Sequence, residues 1–97
     1  MRIDFLLPAQ WEVDDAVVWY NEQSPKLGIE FLDELDRVIK RIALFPESGT
    51  SVGQDIRRCL LSRFPYGVFY SHEDGTLLII AVAHLHRRPH YWVDRLA

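Results

Sequence analysis

Seven consecutive apolar residues, Leu77 to Ala83, constrain the fold of this 97-residue chain more than any other feature. The run is short and follows an Asp74-Gly75 turn signal, so it suits a strand; its lack of alternation calls for a central strand covered on both faces. At this length a second folding unit has no room, and we expect one domain over residues 1–97. With 48% hydrophobic and 26% charged residues, plus three Trp, four Tyr and five Phe to close a core, the composition is that of a globular protein.

The rest of the chain falls into two halves of different period. Arg2-Ile3-Asp4-Phe5-Leu6 alternates charged and apolar residues, as an edge or half-buried strand does, and Pro8 ends it. Ala9, Val13, Ala16, Val17 and Tyr20 then share one face of a helix, which leaves Glu12, Asp14 and Asp15 toward water. Ser24-Pro25 reads as a second helix start, and Leu27, Phe31, Leu35, Val38, Ile39 and Ile42 hold the helical period until Pro46. Glu47 to Gln54 reads as a loop, followed by strands at Ile56 to Phe64, Gly67 to His72 and Thr76 to His84. The expected fold class is α+β: an N-terminal strand, an αα-hairpin, then an antiparallel β-meander, with the helices packed on one face of a small sheet.

Cys59 is the sole cysteine, which excludes an intramolecular disulfide and suits a reducing compartment. The apolar patch near Met1 is too short for a secretory signal and no stretch reaches the length of a membrane span, so a cytoplasmic protein with no membrane partner is expected. The net charge of -3 is unevenly spread: residues 1–48 carry -5, while residues 49–97 carry +2 and all four histidines. Broad coating of nucleic acid is disfavoured, whereas a local anion-binding face in the second half is not.

That face centres on Ala83-His84-Leu85-His86-Arg87-Arg88-Pro89-His90-Tyr91-Trp92, where the apolar strand runs out. In an extended chain His84 and His86 share a face beside the two arginines. Three readings are open. In the first, the tail simply folds back on the sheet, with Arg87 paired to a helix acid such as Glu34 or Asp36. His84 and His86 with His90 or His72 could supply three metal ligands, but the neighbouring cations oppose a divalent ion, and no metal or other cofactor is expected. Alternatively, histidine acid–base chemistry and arginine charge could act on a phosphate. Arg57 and Arg63 add cations on one face of the first meander strand, with Arg58 on the other.

Several segments taken in order carry a resemblance. Trp19-Tyr20, Leu27-Gly28 with Phe31, Arg57-Arg58, Arg63-Phe64-Pro65-Tyr66, Ala81-Val82-Ala83-His84, Arg87-Arg88-Pro89 and Tyr91-Trp92 together resemble the RelE/ParE toxin superfamily, and in particular plasmid-stabilisation toxins. The resemblance spans nearly the whole chain. It implies the toxin of a type II toxin–antitoxin module, wrapped by a cognate antitoxin, whose target is either DNA gyrase, inhibited without chemistry, or the ribosome and its mRNA, which is cleaved.

For the cleaving reading it implies catalytic roles for His86, Arg88 and Tyr91, with Arg57, Arg63, His84, Arg87 and His90 binding the target. The arginine that cleaving members usually carry on the second meander strand is Gly67 here, with Arg63 the available replacement. This departure and the net acidity favour growth inhibition by gyrase-type binding, or a non-catalytic equivalent, over mRNA cleavage. An inactive antitoxin-binding or regulatory module is the remaining alternative. The resemblance also implies an exposed apolar surface for the antitoxin, for which Trp11 and Trp19, off the core face of the first helix, are the expected residues.

Overall fold

The computed structural model describes residues 1–96, which run β1 (Arg2–Phe5), α1 (Leu7–Gln23), α2 (Leu27–Leu44), β2 (Thr50–Gly53), β3 (Ile56–Leu60), β4 (Tyr66–Glu73), β5 (Thr76–His84) and a last 3-10 turn at Val93–Leu96. The strands form one sheet in the order β1-β5-β4-β3-β2. Strands β2 to β5 are antiparallel neighbours, while β1 runs parallel to β5, so the sheet is mixed. The expected α+β architecture is present, with three boundaries moved for local physical reasons.

The first is β2, inside the stretch that reads as a loop. Ser48, Gly49, Ser51 and Gly53 carry turn signals that mask the strand formers Thr50 and Val52, and pairing with β3 makes the segment a strand; the connecting turn places Gly53, Gln54 and Asp55 at positive φ. Next, β3 ends at Leu60 rather than running to Phe64. The backbone N–H groups of Ser62 and Arg63 leave the ladder and donate to the buried carboxylate of Glu34 on α2, while Phe64 turns into the core against Tyr20 and Phe31. Finally, α2 begins at Leu27, because the Ser24 N–H closes α1 onto the Tyr20 carbonyl and Lys26 adopts φ 70°. An α2 N–H is capped from the other helix: Gly28 donates to Asn21 Oδ1 at 2.8 Å.

β5 is buried on both faces, as its composition requires. A bulge between Phe69/Tyr70 on β4 and Ile79/Ala81 on β5 leaves Ile80 as the extra residue. Leu77, Ile79 and Val82 join the core beneath the helices, with Val13, Phe31, Leu35 and Ile42. Ile80 and Ala81 face the other way, where Ile56 and the nearly inaccessible Trp92 (2% exposed) form a second core. Helices therefore cover one side of the sheet, and the C-terminal tail folds back over the other.

β1 is too short to pair with the whole of β5. Its register ends at Phe5 opposite Ile79. Beyond that point the outer edge of β5 is closed by side chains: Glu12 of α1 accepts from the Val82 N–H at 3.1 Å, and Arg95 donates to the Ile80 carbonyl at 3.0 Å.

Candidate functional site

The tail from Leu85 to Trp92 leaves the sheet through a series of turns, closed by backbone bonds from Arg87 to His84, Tyr91 to Arg88 and Val93 to His90, with His90 at φ 60°. His86 is consequently not in extended register with His84. Its N–H donates to His84 Nδ1 at 3.1 Å and the two rings meet edge to face at 4.8 Å. Trp92 anchors the tail against Phe69, with ring centres 5.6 Å apart.

Glu12 holds the tail to the first helix. We expected this carboxylate to face water; it is instead the acceptor on which the end of the chain converges. The Tyr91 hydroxyl donates to Oε2, Arg95 Nη1 donates to Oε1 at 2.8 Å, and Arg95 Nη2 donates to Oε2 at 3.0 Å. The helical pattern places Glu12 correctly off the apolar stripe but carries no sign of a residue arriving from eighty positions later. Burial pushes the Tyr91 phenol well above its ordinary pKa, and hydrogen bonding to Glu12 adds to the effect, against the opposing charges of Arg95 and Arg87. Arg87 stacks over the same ring, 4.2 Å from its centre.

Between the tail and the sheet lies a hollow of about 160 Å³. His84, Arg87, Arg88, His90 and Tyr91 line it, so five of the residues singled out from the sequence are brought together. His86 packs on His84 outside that lining. Arg57 and Arg63 lie elsewhere. Arg57 donates to the Glu47 and Gly49 carbonyls at 3.3 and 2.8 Å, and Arg63, in the turn after β3, pairs with Glu30 at 2.8 Å. These two arginines do not share a strand face, because the strand stops before Arg63 is reached.

Arg58 is the residue sequence reasoning missed. It faces the tail, lines the hollow with Phe69 and Trp92, and keeps a buried Nε that has no hydrogen-bond partner. Gly67 makes room for it: a Cβ there would meet Arg58 Cγ and Cδ at 3.3 Å. The two positions are thus linked, since the side chain missing at Gly67 is space taken by the Arg58 stem. The available signal was that Arg58 alternates away from Arg57; which face the tail would cover was not legible.

Among the described residues no three His, Cys, Asp or Glu side chains cluster so as to hold a metal ion, and no helix is long and apolar enough to cross a membrane. The expected exposed aromatics are in place on α1, with Trp11 56% and Trp19 54% exposed.

Comparison with known proteins agrees with this architecture. Over 69 residues, 69% of this chain, the sequence is 35% identical to a probable plasmid-partitioning protein ParB of Xylella fastidiosa (strain 9a5c); the chain spans only 17% of the length of that relative. A solved structure of the chromosomal ParDE TA system from P. aeruginosa shares the fold, with a TM-score of 0.75 at 15% identity, covering 87% of this chain and 95% of that one. The family model for the ParE toxin of the type II toxin-antitoxin system, parDE, matches residues 3–89. With its helical pair, mixed sheet and folded-back tail, the chain belongs to the ParE toxin family of type II toxin–antitoxin systems.

Proposed function

We propose that this toxin inhibits growth in the cytoplasm by binding an essential target, DNA gyrase or an equivalent, without catalysing a reaction, and that a cognate antitoxin neutralises it. One observation carries the non-catalytic reading: the Tyr91 hydroxyl, the tail's phenolic candidate for proton transfer, is committed to Glu12 and held above its ordinary pKa. A proton donor needs a pKa near the working pH and a free path to the reacting atom, and Tyr91 has neither. Of the three residues expected to share catalysis, Arg88 and Tyr91 line the hollow, whereas His86 packs against His84 and stays outside that lining. The hollow and its cationic rim are then a docking surface, with His84, Arg87, Arg88 and His90 as its target-binding residues.

The His84–His86 contact favours one second reading, mRNA cleavage on the ribosome, because paired imidazoles beside two arginines can move a proton and stabilise phosphorane charge. Two assays separate the readings. Purified protein should abolish supercoiling by purified gyrase and leave mRNA intact on programmed ribosomes. Discrete new mRNA 5′ ends would establish cleavage, and unaffected gyrase would refute gyrase as the target.

For the antitoxin we assign the outer face of α1, where Leu7, Trp11, Val18 and Trp19 are all more than half exposed. An amphipathic antitoxin segment laid along α1 would bury this apolar surface. Trp11→Ala and Trp19→Ala should weaken antitoxin binding measured by calorimetry; unchanged affinity in both would move the interface elsewhere.

A further inference from the structure

The hollow beneath the tail is lined by three arginines and two histidines and by no carboxylate, in a chain of net charge -3. Among the described residues, Arg2, Arg63 and Arg95 have ion-pair partners; Arg58, Arg87 and Arg88 have none, as is also true of Arg37, Arg41 and Arg57 elsewhere on the molecule. Arg58 also differs from Arg87 and Arg88 in burial. Its stem lies over Gly67, and its Nε–H is sealed from water without an acceptor. That buried, unpartnered group carries a desolvation cost, and a carboxylate seated in the hollow against the rest of the Arg58 guanidinium offsets it through the shared charge.

We propose that this hollow is a socket for a single carboxylate side chain, a glutamate or aspartate flanked by apolar residues on the protein target, and that Arg58 is the residue that reads it. This deepens the docking reading above and rests on the target being a protein. Size supports one anion: about 160 Å³ is comparable to the roughly 150 Å³ cavity that accommodates a benzene. Phe69, Leu85 and Pro89 supply apolar walls suited to the carbons of a Glu side chain and its neighbours. The surroundings oppose a polyanion. Beyond His84 and Arg87 the adjoining depression is lined by Glu12 and Asp15, which repel a second phosphate along a nucleic-acid backbone.

The test is NMR of the ¹⁵N-labelled full chain, following the Arg58 Nε–H signal during titration with the blocked tripeptide acetyl-Leu-Glu-Phe-amide, its Gln counterpart and a uridine hexanucleotide. The Glu peptide should shift the signal saturably, and the Gln peptide should bind at least about tenfold more weakly. Arg58→Lys, followed through the backbone amide signals of Arg87 and Arg88 because the variant has no guanidinium Nε–H, keeps the charge but loses the planar fork, and should weaken the Glu peptide about tenfold while leaving the Gln peptide unchanged. Equal binding of the two peptides to wild type overturns the proposal whether or not the Lys variant folds, and so does tighter binding of the hexanucleotide at Arg58. If gyrase is unaffected while the Glu peptide binds through Arg58, the target reading fails and the socket stands. If gyrase is inhibited and the peptides do not discriminate, only the socket fails.

Discussion

Replacing Glu12 by alanine should remove a large share of this protein's stability, although the residue lies on the polar side of its helix. Glu12 and Arg95 are only 18% and 17% exposed, and the same carboxylate also accepts from Tyr91 and from the Val82 N–H. Deleting one partner of a buried, hydrogen-bonded pair costs about 3–5 kcal/mol, and partial exposure places this site at the low end, about 3 kcal/mol. A domain of this size has about 5–15 kcal/mol in all, so the variant folds with little in reserve. With a urea m-value of about 1.5 kcal/mol/M, the unfolding midpoint falls by about 2 M, read by tryptophan fluorescence. A double-mutant cycle isolates the mechanism. Tyr91→Phe alone should cost about 1 kcal/mol and almost nothing in the Glu12→Ala background, where its acceptor is already gone. A midpoint shift below about 0.5 M, or strictly additive losses, would refute the claim that Glu12 pins the tail.

Three further outcomes follow from the same structure. Gly28→Ala should destabilise by about 2 kcal/mol through overpacking, since a Cβ there would lie 2.7 Å from the backbone oxygen of Val17; no loss in chemical denaturation would mean the helices can separate freely. All four tyrosines, Tyr20, Tyr66, Tyr70 and Tyr91, have phenols raised chiefly by burial, so ultraviolet titration should show no ionisation at or below the ordinary value of about 10. For Glu34, burial acts to raise the pKa, but the Arg63 and Ser62 N–H groups, the Ser62 hydroxyl and the Arg63 charge outweigh it and hold the carboxyl below its usual range. A depressed acid stabilises fully above its unfolded value of about 4.3 and loses that contribution as pH falls through the folded value. Wild-type stability should therefore decline below about pH 4.3, and Glu34→Gln should flatten that decline in urea titrations at successive pH values; parallel curves would contradict the assignment.

The two helices and β5 were legible because their apolar periods are long or unbroken, and burial follows such patterns closely. β2 was not: Thr50 and Val52 favour a strand, but they alternate with Ser and Gly in a stretch too short and too rich in turn residues to stand out before β3 pairs with it. Ser24 misled because the same side-chain chemistry serves turns and helix starts, and here the residue ends α1. At the site, the cationic tail was legible from composition, and five of its chosen residues meet around one hollow. What lay out of reach was long-range pairing. Glu12 meets residues 79 and 83 positions away, and Arg58 is placed by the absence of a side chain at Gly67. Arg57 and Arg63 share a face only in a strand that continues past Leu60, and β3 ends there.

The short reach of β1 has a consequence for association. A strand edge with free N–H and C=O groups is a template on which any other extended chain can add. Here the bare half of β5 is stoppered by one acid and one base that meet on it, Glu12 and Arg95, the second carried by the tail. Anything that peels the tail away, whether truncation, proteolysis or loss of Glu12, unstops that edge and exposes the apolar face beneath Trp92 in the same step. The tail thus doubles as a guard against self-aggregation, and variants lacking it should become sticky rather than merely inactive.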